Sequence, residues 1–383
     1  MDHNLGKHLL APALGAVALC LSSSILHAQA YTQINLVSDI PGLAANFDPH
    51  LINPWGISEN AASPFWVSDA GTGVSTLYNT AGVPQSLVVT IPAPGGGPSV
   101  PTGQVFNSST SFNTDIFIFA SARGTITGWR GALGTTAEIL LDNSTAGASY
   151  LGLAIGSIGA NTYLYAADFG NNQITVLPGT GAPALTGLFR DTLLPVGYAP
   201  FNVQNIGGSL YVTYALKGAD GEDAPGAGHG FVDKYDLNGN LITRFASGGA
   251  LNSPWGLALA PLSFGGFGGD LLVGNFGDGT INAYDPITGA WVGVLKDAAG
   301  DPIVNDGLWG LQFGNGGNGG TLGTLYFAAG INNEADGLFG AIVPVPEPST
   351  TTAVAGVGLV GLCLVARLRR RQGKAAVAPT TAS

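Results

Sequence analysis

Residues 253–289 read SPWGLALAPLSFGGFGGDLLVGNFGDGTINAYDPITG, and the rest of the chain repeats this pattern. A short apolar run follows the anchor Pro254-Trp255-Gly256. After a Gly-rich turn comes a second run at Leu271-Leu272-Val273, and after the turn Phe276-Gly277-Asp278-Gly279 a third, ending at Tyr284 before Asp285-Pro286. A fourth, residues 290–295, closes the unit. Apolar runs of four to six residues separated by Gly, Pro, Asn and Asp are strands joined by hairpins; they are too short and too interrupted for helices.

Matching anchors stand at Gly56, Gly103, Gly152, Asn202, Gly256 and Gly310, spaced 47 to 54 residues apart. A second strand follows each, as at Phe65-Trp66-Val67 and Tyr163-Leu164-Tyr165, and then a third, as at residues 75–78 and 125–129. Six four-stranded units of this length predict an all-β, six-bladed β-propeller rather than a sandwich, with seven blades the nearest alternative. The sixth unit reaches Pro344 without a fourth strand, while an orphan strand, residues 31–37, precedes the first anchor. Pairing the two closes the ring and removes two open sheet edges. Gly at the anchor lets inner strands crowd near the axis. The tryptophans beside it, Trp55, Trp255 and Trp309, read as packing between blades, with quinone or sugar stacking as the alternative.

Sixty glycines and only 10% charged residues in 383 fit a turn-dense β protein. Cys20 and Cys363 both lie in terminal apolar segments, so no disulfide staples the region between them. Residues 1–30 read as a signal peptide: Lys7, an apolar run over 9–26, and a small-residue cleavage site at Ala28-Gln29-Ala30. At the other end, Pro346-Glu347-Pro348 precedes an uncharged run, residues 350–366, and the cluster Arg367, Arg369, Arg370, Arg371. Seventeen helical residues rise roughly 25 Å, a short transmembrane helix, and the arginines hold its far end in the cytoplasm. This order of features resembles the PEP-CTERM sorting tail of Gram-negative bacteria. The resemblance implies passage through the export machinery, recognition by an exosortase, transient anchoring of the 345–383 tail in the inner membrane, and display at the cell surface or beyond.

The domain between, residues 31–344, carries seven Lys and Arg against 22 Asp and Glu, a net charge of −15. That excludes nucleic acid and anionic lipid surfaces as partners, since both need a positive face. The run Tyr163-Leu164-Tyr165-Ala166-Ala167-Asp168-Phe169-Gly170-Asn171-Asn172-Gln173-Ile174 resembles an NHL-type propeller repeat. With Asn53-Pro54-Trp55-Gly56-Ile57 and the segment from Asn332 to Gly340, the domain resembles a family of uncharacterised, exported bacterial propellers that often carry the PEP-CTERM tail. That resemblance implies an architecture and no activity.

In a propeller, the turns between second and third strands share one face with the blade-to-blade connections. Polar residues gather there: Asp48 and His50, Asp69, Asp168, Asn275, Asp278, Asn332, Asn333, Glu334 and Asp336. The longest insertion, KGADGEDAPGAGHG at residues 217–230, is expected to carry Asp220, Glu222, Asp223 and His229 on a flexible loop. Two functions compete. These acids and amides could hold Ca²⁺, with His50 or His229 as the base for hydrolysis of a lactone or ester. Alternatively, the propeller is a non-catalytic binding or structural module of the cell envelope or extracellular matrix, with a polysaccharide or protein partner. There is no nucleophile elbow, zinc-spaced His cluster or phosphate loop in the chain.

Overall fold

The computed structural model describes residues 30–346; residues 1–29 of the expected signal peptide and the expected transmembrane segment, residues 350–366, lie outside the described residues. The described chain forms six sheets arranged as the blades of a propeller. Each blade begins with an inner strand at an anchor: Pro54–Ser58, Pro101–Phe106, Tyr150–Ile158, Tyr198–Ile206, Pro254–Leu259 and Leu308–Phe313. The following strands pair antiparallel outward, as in Pro54–Ser58 with Phe65–Asp69 and then Val74–Tyr78. Alternate side chains of each strand point into the clefts between blades, where Phe, Tyr, Leu and Val form the hydrophobic clusters.

The ring closes as the sequence requires. Tyr31–Ser38 pairs antiparallel with Leu338–Pro344, from Tyr31 opposite Pro344 to Ser38 opposite Leu338, with the register shifting by one residue between Asn35 and Val37. A short strand, Asn46–Phe47, adds in parallel outside it, giving the sixth blade five strands instead of the expected four.

The third blade departs from expectation in the other direction, with three strands, Tyr150–Ile158, Asn161–Asp168 and Gln173–Pro178. Pro178, Gly179, Gly181 and Pro183 interrupt the backbone ladder where a fourth would begin. The segment after them crosses to the fourth blade: Gly187 and Phe189 donate their backbone N–H to the Asn238 and Gly239 carbonyls, each at 3.0 Å. Phe189 then buries its ring beside Tyr165 and Tyr235. The chain exchanges a strand for one aromatic anchor.

At the axis, the anchor glycines do what their spacing implies. A Cβ on Gly56 would stand 2.5 Å from the Thr102 carbonyl oxygen, and one on Gly256 2.6 Å from that of Trp309, so each inner strand lies against the next. The fourth blade has Asn202 instead, whose side-chain amide donates to the Trp255 carbonyl at 2.7 Å. Below, the upper face is the one carrying turns between second and third strands, and the lower face carries turns between first and second.

Candidate functional site on the propeller axis

An aromatic plug seals the upper end of the axis. Trp55 and Trp309 stack with ring centroids 3.4 Å apart, Trp255 meets both edge-on, and Phe276 stacks on Trp309 at 4.1 Å. All three tryptophans are buried. Their indole N–H groups are satisfied internally: Trp55 and Trp309 donate to Asn53 Oδ1 at 3.0 and 3.2 Å, and Trp255 to the Leu151 carbonyl at 3.2 Å. These rings are core, with no free face for a quinone or a sugar.

Most polar residues expected to form a site on the upper face instead fasten turns. Asp168 accepts the backbone N–H groups of Ser149 and Asn171, the Asn171 amide and the Thr175 hydroxyl, tying its turn to the preceding connection. Asp69 accepts from the Thr76 hydroxyl at 2.8 Å; complete burial drives its carboxyl well above the ordinary range, and nearby Asp48 adds to the rise. Asp48 accepts from His50 and from the Tyr78 hydroxyl, each at 2.9 Å. Asn275 and Asp278 bond to each other, with Thr280 and Asn252 around them, and Asp336 accepts from the Asn332 amide. These groups are spread over separate blades.

The 217–230 segment also differs from its expected form. It is pinned to the body: Gly218 N–H donates to the Glu222 carbonyl, Ala224 N–H to Leu216, Gly226 N–H to Asn252 Oδ1 at 2.6 Å, and Gly228 N–H to Leu251. His229 Nδ1 lies 2.9 Å from the Ala224 carbonyl, inside its own loop. Asp220 and Glu222 remain exposed, whereas Asp223 turns inward. There burial raises its carboxyl, with Glu222 and Asp220 adding to the rise; Glu334 is likewise raised by burial, with Asp223 and Glu222 adding to it. Among the described residues, no group of three or more His, Cys, Asp or Glu side chains is placed to hold a metal ion. Ca²⁺ takes six to eight oxygens, so a two-carboxyl meeting that favours protonation does not fit it.

The lower end of the axis is open. Below the plug, a throat of about 20 Å³ among Gln104, Asn202 and Gln204 has room for about one water. It widens into a basin of about 260 Å³ between the ends of the first, second, third, fourth and sixth inner strands. Three polar atoms that line or border this basin are buried without a hydrogen-bond partner: Ser58 Oγ, Glu59 Oε2 and Gln104 Oε1. Ser58 and Gln104 are 7% and 6% exposed. Gln104 is held rigidly, because its Nε2 donates to the Gly56 and Trp66 carbonyls at 2.7 and 2.6 Å, leaving its oxygen free. An unpaired buried polar group costs about 1–3 kcal/mol, so the walls of the basin carry three polar atoms that the fold itself leaves unsatisfied. None of the acids and histidines expected to form a site lines this basin. A signal was present two positions after the anchors, where strands otherwise apolar carry Ser58, Gln204 and Gln312.

Glu59 gives the basin a pH signature. Burial pushes its carboxyl up to about 8, partly offset by Gln312. The folded protein therefore keeps this proton to higher pH than the unfolded chain does. The associated stability is whole below the ordinary Glu range and is lost as pH rises through about 8. In melting curves from pH 5 to 9, the wild type should lose melting temperature relative to Glu59→Gln progressively up to about pH 8 and level off above it; parallel curves would contradict this.

The terminal motif and the fold both have counterparts. Residues 344–371 match the PEP-CTERM protein-sorting motif, an exosortase recognition signal that marks the chain for export and sorting to the cell surface. Two uncharacterised proteins of Acanthamoeba polyphaga mimivirus are each 33% identical, one over 327 residues (80% of this chain, 78% of the relative) and one over 330 (80% and 84%). Among solved structures, a streptogramin B lyase is similar at 14% identity and a TM-score of 0.42, over 82% of this chain and 97% of that one. At that distance nothing of its chemistry carries over. The chain belongs to the same family as the mimivirus proteins, folds as a six-bladed β-propeller, and carries a PEP-CTERM sorting motif.

Proposed function

We propose that this exported, surface-sorted propeller is a non-catalytic binding module that takes its ligand at the lower end of the axis. The observation that carries the reading is an open basin on the axis lined by polar side chains from four blades, Ser58 and Glu59, Gln104, Gln204 and Gln312. Rigid scaffolds with a concave, partly apolar pocket and a few fixed polar groups are the usual form of a ligand site. The basin holds no nucleophile–base pair and no histidine, so it orients and retains rather than reacts. After sorting, its partners belong to the envelope or extracellular matrix.

The test is retention of the full-length protein on matrix material from the producing cells. Gln204→Trp, which fills the basin from a partly exposed strand position, should lower retention at least tenfold with the melting temperature unchanged. Equal retention by the variant and the wild type would refute the site. Calcium-dependent hydrolysis, the competing reading, would need the upper face; calorimetric calcium titration is expected to give no saturable heat, and a saturable site abolished by Glu334→Gln would revive it.

A further inference from the structure

We propose that the basin receives the end of a neutral polysaccharide, with one sugar ring on the propeller axis and the rest of the chain leaving through a groove between the second and third blades; this rests on the binding-module reading above.

The lining selects the ligand class. Around the basin, hydrogen-bonding groups are a hydroxyl and carboxamides, Ser58, Gln104, Gln204 and Gln312, and Glu59 is the only ionisable side chain. There is no Lys, Arg or His in the lining to meet a phosphate, sulfate or carboxylate. Sugar hydroxyls both donate and accept, and carboxamides and a serine supply the complementary acceptors and donors. Gln204 and Gln312 are partly exposed on inner strands of two blades, so their amides can exchange water for ligand hydroxyls. Burial pushes the Glu59 carboxyl up to about 8, which favours its neutral form, a donor as well as an acceptor. Between the polar groups, Ile57, Leu153, Ile155 and the partly exposed Phe106 ring offer apolar cover for the C–H faces of a pyranose.

Size and shape point to a chain end. At about 260 Å³ the basin lies just under the roughly 300–1,000 Å³ of ordinary ligand pockets, room for one ring rather than a folded peptide loop. It does not end there. A groove of about 140 Å³ shares Phe106 and Ile155 with the basin and runs on past Ser108, Ser109, Ser157 and Thr162. These are hydroxyl groups again, and the groove too lacks any charged side chain. An acidic polysaccharide entering it would find no counter-charge on a domain whose net charge is −15.

Calorimetric titration of the full-length protein tests the assignment. One panel holds neutral oligosaccharides (gluco-, manno- and galacto-oligomers of six units) and their monosaccharides. Another holds oligogalacturonate and alginate oligomers, and a third N-acetylated tripeptides and short polyethylene glycol. A neutral oligomer is expected to saturate one site at least tenfold more tightly than its monosaccharide. Gln204→Trp should abolish that binding, and Ser109→Trp should reduce the oligomer to the monosaccharide's affinity. Should Gln204→Trp fail to fold, Gln312→Trp blocks the basin from the opposite wall. Basin-dependent binding of only acidic oligomers, peptides or polyethylene glycol would overturn the polysaccharide assignment and leave the binding module standing. Binding indifferent to both basin variants, or no binding across all panels, would overturn both.

Discussion

A chain lacking residues 31–38 fails to reach a cooperatively folded state at 25 °C. The deletion removes Tyr31, Leu36 and Val37, all buried, and their burial is worth about 5–8 kcal/mol together. That is a large part of the roughly 5–15 kcal/mol by which a domain is stable. It also removes the ladder to Leu338–Pro344, the Ser38 hydroxyl bond to the Gly337 carbonyl at 2.7 Å, and the Tyr31 hydroxyl bond to the Phe264 carbonyl at 3.1 Å. What remains is an open ring whose last strand presents an unpaired edge, the arrangement that invites aggregation. Near-ultraviolet circular dichroism and denaturant titration read the outcome. A sharp transition within a few degrees of the wild type would mean that ring closure is dispensable.

Trp309→Ala should cost about 3–5 kcal/mol, the range for truncating a fully buried large aromatic. Trp309 is 2% exposed, stacks on Trp55 and Phe276, and meets Trp255 and Phe201 at 5.8 and 5.7 Å. Each such aromatic pair adds about 0.5–1.5 kcal/mol beyond area. Its loss also removes one of the two indole N–H groups that donate to Asn53 Oδ1, a residue held at φ 48°. Trp291 serves as the control. It is 55% exposed on an outer strand, and its replacement by alanine should stay within about 1 kcal/mol. Urea denaturation of both variants decides. Equal costs would show that the plug is not a keystone of the ring.

The architecture was legible because its determinants are local. Pro-Trp-Gly anchors, hairpin turns and strand-length apolar runs recur at nearly constant spacing, so blade number and ring closure follow from counting. The third blade misled because residues 179–197 could have held a strand, and the competing partner that claims them, the 236–240 turn, is distant in sequence. The site was less legible. Acids and histidines draw the eye to the upper face, yet Asp69, Asp168 and Asp278 are consumed by turns whose hydrogen bonds can be seen only once the blades are assembled. Ser58, Glu59 and Gln104 look ordinary in sequence. What brings them together is the assembly of separate blades around the axis, which no single stretch of sequence shows.

The claim that the lower axial basin is the binding surface is tested most directly by side-chain amide NMR. Protein labelled with ¹⁵N-glutamine is titrated with extracellular polysaccharide from the producing cells. Gln104, Gln204 and Gln312 line the basin, while Gln33, Gln85 and Gln173 lie outside it. The account predicts that the first three amide pairs shift and saturate together while the others stay in place. Saturable binding that moves only the outer glutamines, or none of the six, would contradict it.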